Sequence, residues 1–237
     1  MMMSDSNTHH LYILHARKYR DTSLLTDVFS REEGRYSLIF RGARSAKSKH
    51  QGLLQPFSPL LVEVFGKGEL KTAGSIDLAG RPFRHGGESL LIGLYINELL
   101  YRVLGKFDQL PAVFERYERL MVNLEDENFD ASHLREFELS LLANLGYGIT
   151  FDIDSETGEG VREDSCYQFI AEQGFSSLFD PAESMKNISG SVLLAISKGD
   201  YSGPADVILK SVIRRSFQTL LGDKPLKSRS LFEGRRA

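Results

Sequence analysis

The chain of 237 residues contains one cysteine, Cys166, and no long apolar run. A single thiol excludes internal disulfides and any zinc site built from several cysteines. No segment approaches the roughly 18 consecutive apolar residues that a membrane span needs, and residues 1–10 lack the apolar core of a signal peptide. With 41% hydrophobic and 26% charged residues, we expect a globular cytoplasmic protein without membrane association.

Sequence motifs of common enzyme classes are also absent. The chain has no Walker A loop, no G-x-G-x-x-G after a predicted strand and no G-x-S-x-G nucleophile elbow. Its six histidines are scattered and do not pair at metal-ligand spacing. Cys166 has no histidine or cysteine near it in the sequence, which indicates an inert thiol. We predict that the protein is not an enzyme and holds neither a metal nor a cofactor.

One acidic segment leaves a catalytic alternative open. Six carboxylates lie between Asp152 and Asp164, and a nuclease holds two metal ions on such groups. A solvated acidic loop is the commoner meaning of this pattern, and we expect one over residues 151–165. Glu98 lies in an otherwise apolar segment, and Arg102 follows four residues later. An ion pair within one helix explains Glu98 better than catalysis does.

Between Glu33 and Glu63 the chain has no acidic residue. The stretch carries the cations Arg35, Arg41, Arg44, Lys47 and Lys49. In the loop of residues 41–50 the last four of these cations are interspersed with small side chains that have little apolar surface to bury. Such a loop suits contact with phosphates of any sequence, because each neutralised phosphate releases a bound counterion. The alternative is a solvated loop that binds nothing.

Charge is segregated along the rest of the chain as well. The net charge of −3 divides into +4 for residues 1–81, −12 for residues 82–200 and +5 for residues 201–237. An acidic middle between two basic ends suggests that the ends share one binding surface for nucleic acid.

The first part of the chain is predicted to form short strands. Five segments rich in apolar and β-branched residues, several separated by glycine-marked turns, lie at residues 11–14, 22–29, 36–41, 60–65 and 69–73. Five strands in about 70 residues indicate a small barrel or sandwich. We predict a first domain over residues 1–81 with a short disordered N-terminal tail.

From residue 82 onward the apolar spacing becomes helical. The spacing predicts helices around Leu90 to Leu104, from Pro111 to Leu124, from Ser132 as the N-cap to Leu145, over residues 189–197, and from Pro204 to near Gly222. We predict an α-helical second domain over residues 82–237, with an insert around residues 150–180 and a basic C-terminal helix and tail. The fold class is therefore α+β.

A five-stranded barrel with a basic face is typical of the OB-fold, whose strands and loops bind single-stranded nucleic acid. Such sites combine a cationic groove with aromatic side chains on which bases stack. Tyr19, Tyr36 and Phe40 each adjoin an arginine or lysine and are the candidates for stacking. The alternative, strongest for Phe40, is burial in the barrel core.

Short motifs spread along the chain resemble the RecO family of bacterial recombination mediators. They are LHARKYRDTSLL at 14–25, GR at 34–35, RGAR at 41–44, GLLQPF at 52–57, GELKT at 68–72, YINELL at 95–100, REFEL at 135–139, LGYG at 145–148 and KPLKSR at 224–229. No single motif decides the resemblance, but their shared order along the chain is hard to obtain by chance.

The resemblance implies an N-terminal five-stranded OB-fold β-barrel followed by an α-helical domain. It implies binding to single- and double-stranded DNA, annealing of complementary strands, and association with the nucleoid. The implied partners are RecR and the C-terminal tail of the single-stranded-DNA-binding protein. The implied role is to load RecA on single strands that are coated by the single-stranded-DNA-binding protein.

One departure from the family concerns zinc. Many members carry a four-cysteine zinc module after the LGYG motif. Here the acidic residues 152–164 replace it, and only Cys166 remains. This difference argues against a bound zinc ion.

Two sets of residues follow as predicted sites. For DNA we predict Arg17, Lys18, Tyr19, Arg20, Arg35, Arg41, Arg44, Lys47, Lys49, Lys67, Lys71, Lys210, Arg214, Lys224, Lys227 and Arg229. For the acidic, apolar-ended partner tail we predict a hydrophobic pocket with a cation at its rim, formed by Arg102, Leu104, Phe114, Tyr117 and Arg135. An ion pair of Arg135 with Glu136 or Glu138 is the alternative. For the whole protein, the alternative is an adaptor that acts through protein contacts, with incidental DNA binding.

Overall fold

A computed structural model describes residues 7–46, 48, 50, 52–177 and 187–233. These residues form two compact units, one of residues 7–129 together with 225–233 and the other of residues 130–224. The sequence predicts a boundary after residue 81, but the two helices that directly follow the barrel pack against it and belong to the same unit. Independent folding of residues 1–81 stays a prediction.

Five strands close into a barrel in the first unit. They are β1 (Thr8–Tyr19), β2 (Ser23–Ser30), β3 (Gly34–Phe40), β4 (Leu60–Phe65) and β5 (Leu70–Leu78). Their order around the barrel is β1-β2-β3-β5-β4, and β4 pairs with β1 to close it. Neighbours run antiparallel except β3 and β5, which are parallel. This arrangement confirms the predicted OB-fold barrel.

Alternation along the strands places every second side chain inside the barrel. On β3, Tyr36, Leu38 and Phe40 are at most 1% exposed, whereas Ile39 between them is half-buried on the outer face. Burying each such large side chain stabilises the fold by about 1.5–3 kcal/mol. Gly34 starts this strand with a φ of +69°, and a Cβ there would overlap the backbone of Asp108. Glycine is therefore required at this turn.

Six helices follow in the described part of the chain. They are α1 (Gly87–Val103), α2 (Pro111–Asn123), α3 (Ala131–Asn144), α4 (Gly190–Ser197), α5 (Pro204–Leu221) and α6 (Ser228–Glu233). The first five occupy the predicted positions, with Pro111 and Pro204 in the first turns of their helices. The N-cap of α3 is Asp130 rather than the predicted Ser132, because the Asp130 carboxylate accepts a hydrogen bond from the Ser132 amide.

Helices α1 and α2 pack on the barrel. The Asn97 amide donates a hydrogen bond to the carbonyl oxygen of Ile13, and the Tyr12 hydroxyl donates one to Glu118. The rings of Tyr12, Phe114 and Tyr117 lie in contact between the barrel and the helices. This packing explains why α1 and α2 belong to the first unit.

Helix α6, which the sequence did not indicate as a separate element, is held on α1 by Glu98. The Glu98 carboxylate accepts hydrogen bonds from the amides of Lys227 and Ser228, at 2.9 and 2.7 Å. Burial acts against the charged form of Glu98, yet the hydrogen bonds from Ser228 and Lys227 and the charge of Arg102 lower its pKa. The expected pairing with Arg102 is thus a secondary interaction.

The second unit contains helices α3, α4 and α5 and a small sheet that the sequence did not predict. Its strands are β6 (Cys166–Ile170), β7 (Gly174–Ser176) and β8 (Ile188–Ser189), in the order β7-β6-β8. Two of the three strands, β7 and β8, have only three and two residues, too few to produce a recognisable alternation. Within the ranges that the structure describes, no helix is long and apolar enough to span a membrane.

Candidate nucleic-acid interface

The hairpin of β1 and β2 carries the first group of predicted DNA contacts. Arg17, Lys18 and Arg20 are exposed near its tip, and Tyr19 between them is half-buried. The Arg20 guanidinium lies over the Tyr19 ring, 5.3 Å from its centroid. Arg20 has a φ of 50°, in the left-handed region that non-glycine residues seldom adopt. The turn therefore holds a cation and an aromatic ring together at the tip.

The segment after β3 folds back onto this hairpin. The Arg44 amide donates to the carbonyl oxygen of Thr22 at 2.7 Å, and the Arg44 guanidinium donates to that of Arg20 at 3.2 Å. Arg41, at the end of β3, is exposed. Two basic segments that the sequence places about twenty residues apart therefore meet on one side of the barrel.

A groove of about 600 Å³ lies at this junction. It is lined by Tyr19, Arg20, Thr22, Ser23, Ile39, Arg41, Gly42, Leu70 and Thr72. None of the described residues that line it is acidic, and two of them, Arg20 and Arg41, are cations. The groove thus offers a positive, partly apolar surface at the strand 2–3 face where OB-folds bind oligonucleotides.

Six lining residues are not among the predicted DNA contacts: Thr22, Ser23, Ile39, Gly42, Leu70 and Thr72. They carry no charge, and charge was the signal that identified the predicted contacts. Strand alternation could have identified Ile39. If Leu38 and Phe40 point into the barrel, Ile39 between them points outward.

Lys71 is not available for DNA, in contrast to the prediction. It is only 6% exposed, forms an ion pair with Glu33, and lies 5.1 Å from the centroid of the Tyr36 ring. Residues next to each other in a strand point to opposite faces. Leu70 and Thr72 therefore line the groove while Lys71 points into the barrel.

Arg35 is also used within the fold. Its Nε donates a hydrogen bond to the carbonyl oxygen of Leu104 at 2.8 Å, and its side chain is only 14% exposed beside Asp27. Leu104 is the C-cap of α1, whose free carbonyls attract a cation. Arg35 thus links β3 to the end of this helix.

Two of the three aromatic candidates are core residues. Tyr36 and Phe40 are buried inside the barrel, which corrects the stacking role considered for them. Tyr36 shares a hydrogen bond of 2.7 Å with His9, and burial raises the pKa of Tyr36 and lowers that of His9. Among the three, only Tyr19 lines the groove.

The remaining predicted cations lie elsewhere. Lys47 and Lys49 fall outside the described residues. Lys67 is exposed in the turn between β4 and β5, and Lys227 and Arg229 lie in the first unit at the start of α6. Lys210 and Arg214 are exposed on α5 of the second unit, and Lys224 is exposed after that helix. Their contacts with DNA stay predictions.

The structure does not support the predicted peptide pocket as a surface. Leu104, Phe114 and Tyr117 are buried in the core of the first unit, and the Tyr117 hydroxyl donates a hydrogen bond to Asn97. Their side chains leave almost nothing for a peptide to contact. Arg102, on α1, is half-buried.

Arg135 belongs to the second unit, where it is engaged by two carboxylates. Its guanidinium donates to Glu138 at 2.7 Å and to Asp206 at 3.0 Å. The alternative of an ion pair with Glu138 is therefore the one observed. The pair is buried rather than on the surface.

The acidic segment in the second unit is an ordered turn built around Asp154. This carboxylate is only 3% exposed and accepts hydrogen bonds from the amides of Glu156, Thr157 and Ser177 and from the Ser177 hydroxyl. Burial alone would raise its pKa, but the hydrogen bonds from Ser177, Glu156 and Thr157 lower it. The predicted solvated loop is thus corrected at this residue.

This arrangement does not fit a zinc site. The Asp154 oxygens are already occupied by donors, and Cys166 is the single thiol. Across the part of the chain that the structure describes, no three histidine, cysteine, aspartate or glutamate side chains are arranged to hold a metal ion. Asp154 joins residues 154–157 to residue 177 by hydrogen bonds.

Comparison with known proteins places these features in a family. Residues 3–80 match the family described as Recombination protein O N terminal, and residues 84–229 match Recombination protein O C terminal. The chain is 42% identical over 225 residues to the DNA repair protein RecO of Cellvibrio japonicus, covering 93% of this chain and 94% of that protein. It is 38% identical over 222 residues to the DNA repair protein RecO of Pseudoalteromonas atlantica, covering 94% and 92%. The chain therefore belongs to the Recombination protein O family, and its role is in DNA repair and recombination.

Proposed function

We propose that the barrel groove binds single-stranded DNA through its phosphates, without reading the base sequence. The observation that carries this proposal is the meeting of the hairpin tip with the segment after β3 around an acid-free groove. Arg20 and Arg41 line it, and three more cations lie on the two segments that form it: Arg17, Lys18 and Arg44. Contacts to phosphate position a strand and leave the base edges unread.

Annealing follows from this mode of binding. Two complementary strands repel each other as polyanions, and a surface that neutralises phosphates lowers that repulsion. The Watson–Crick edges stay free to pair because the protein contacts the backbone. The same contacts let duplex DNA bind, since its phosphates carry no sequence information. No catalytic residue is needed for any of these steps.

The mediator role rests on the family resemblance. We propose that the protein acts with RecR and with the C-terminal tail of the single-stranded-DNA-binding protein, and so helps to load RecA on coated single strands. We further propose that it is associated with the nucleoid and that Lys210 and Arg214 on α5 supply additional phosphate contacts. Both are exposed, which this role requires.

An annealing assay with complementary oligonucleotides tests the proposal. Purified protein should accelerate annealing without any partner, and Arg41→Glu should lower the rate and the single-strand affinity. Arg119→Glu, a charge reversal at an exposed site on α2, is the matched control and should have little effect. Absence of annealing would favour an adaptor that acts through protein contacts. Strand cleavage that requires magnesium would favour a nuclease.

A further inference from the structure

Phe65, at the end of β4, is a large apolar side chain that is 52% exposed. Its ring lies on Gly74 of β5, where a methyl group would overlap the ring carbons. The ring is therefore supported on one side by the neighbouring strand at Gly74, and the absence of a side chain there makes room for it. The exposed area leaves the rest of the ring open to solvent.

Strand register connects Phe65 to the groove. Ile39 of β3 pairs with Thr72 of β5, and Thr72 pairs with Phe65 of β4. Paired residues on neighbouring strands point to the same face of a sheet. Since Ile39 and Thr72 line the groove, Phe65 continues its floor by one strand, on the side away from the hairpin tip.

We propose that Phe65 is a stacking platform for a base of the single strand whose phosphates the groove holds. This inference rests on the proposed function. An aromatic ring supported on one side and open on the other stacks any base, which gives affinity without sequence preference. Stacking engages the flat face of the base and leaves its pairing edge free, as annealing requires.

The platform also favours single strands over duplex. A base in a duplex is already stacked between its neighbours, and exposing its face requires unstacking and unpairing it, whereas a single strand offers it readily. Tyr19 also lines the groove and offers a second aromatic ring to the same strand. Charge complementarity selects DNA rather than an apolar partner, because Arg20 and Arg41 line the same groove.

Tryptophan fluorescence provides a direct test, because the chain contains no tryptophan. Phe65→Trp introduces a single reporter at the platform, and its emission should be quenched when oligo-dT binds. Leu78→Trp is the matched control at a site 40% exposed near the other end of β5, and its emission should change little. Equal quenching at both sites, or none at Phe65→Trp while the protein binds, would overturn the inference.

Affinity measurements separate the ring from the charges. Phe65→Ala should weaken single-strand binding by about tenfold to a hundredfold with an unchanged salt dependence. Gly74→Ala should weaken binding too, since it displaces the ring without removing it, whereas Phe65→Tyr should keep most of the affinity. Phe65 is exposed, so urea unfolding should show nearly unchanged stability in Phe65→Ala and Phe65→Tyr.

The outcomes distinguish this inference from the function on which it rests. If Arg41→Ala weakens binding and flattens its salt dependence while Phe65→Ala binds like the unaltered protein, the groove binds phosphates and the platform is refuted. If the unaltered protein does not bind single strands, both fail. If Phe65→Ala binds DNA normally but loses binding to a protein partner, the exposed ring is a protein contact instead.

Discussion

The Arg44 guanidinium donates a hydrogen bond to the backbone carbonyl oxygen of Arg20, with 3.2 Å between Nη1 and O. The amide of Arg44 makes a second bond of 2.7 Å to the Thr22 carbonyl. These two contacts hold the segment after β3 against the tip of the β1–β2 hairpin. Arg44 therefore both carries charge at the groove and holds together the two segments that form it.

Because Arg44 has both roles, Arg44→Ala should do more than remove one charge. We expect the log–log salt slope of single-strand binding to become less negative by about 0.7, the value for one lost phosphate contact. Hydrogen exchange at the hairpin tip should also become faster. Arg41→Ala is the comparison, since it should change the slope alone. Unchanged exchange in Arg44→Ala would show that the hairpin does not need this contact.

Lys71→Met should lower stability without changing DNA binding. The variant leaves Glu33 without its cation, and the cost should be about 2 kcal/mol, less than for a fully buried pair because Glu33 remains 29% exposed. Urea unfolding measures the loss, and Lys67→Met, at an exposed lysine, should show almost none. If Lys71→Met instead made the salt slope of DNA binding less steep and left stability unchanged, Lys71 would be a phosphate contact.

Asp154→Asn should destabilise the second unit by about 2 kcal/mol at neutral pH, because an amide group then faces the donors of Glu156 and Ser177. The pKa of Asp154 is lowered in the folded chain. Its contribution is therefore complete above the unfolded-state pKa of about 3.9 and disappears as pH falls through the folded-state value.

The pH dependence gives this prediction its control. The difference in unfolding free energy between Asp154→Asn and the unaltered protein should shrink as the solution is acidified below about pH 4. Ser177→Ala should show a smaller loss, since it removes one donor and leaves the carboxylate. A difference that is independent of pH would mean that the Asp154 charge does not hold the turn.

Glu98→Gln should loosen α6 on α1. The change replaces one carboxylate oxygen that accepts an amide hydrogen bond, at a cost of about 1 kcal/mol. Hydrogen exchange at the Lys227 and Ser228 amides should then accelerate by roughly fivefold, while the barrel strands remain protected. Arg102→Gln, which leaves both hydrogen bonds in place, should have a weaker effect. Faster exchange only in Arg102→Gln would restore the helix-internal ion pair as the main contact.

The sequence predicted the barrel because strand alternation and turn residues are local signals. The inward face of β3 is already visible in the alternation of Tyr36, Leu38 and Phe40. Pro111 likewise marks the start of α2. Glu98 illustrates the limit of local reasoning. Its partner Lys227 lies 129 residues away, and Arg102, four residues away, was the obvious choice.

The candidate site was predicted in part for the same reason. Its cations stand out by charge, but Lys71 shows that charge does not reveal which face of a strand a residue occupies. Phe65 was missed because five of the six residues of β4, LLVEVF, are apolar, so that an exposed aromatic ring stands in a run that resembles core. Only the register with Thr72 assigns it to the groove.

The salt dependence of single-strand binding by the unaltered protein tests phosphate binding at the groove most directly. The two segments that form the groove carry five cations, Arg17, Lys18, Arg20, Arg41 and Arg44. If all five engage phosphates, the affinity for oligo-dT should fall with a log–log slope of about −3.5. A slope near zero, or one that the double variant Arg20→Ala and Arg41→Ala leaves unchanged, would contradict phosphate binding at this groove.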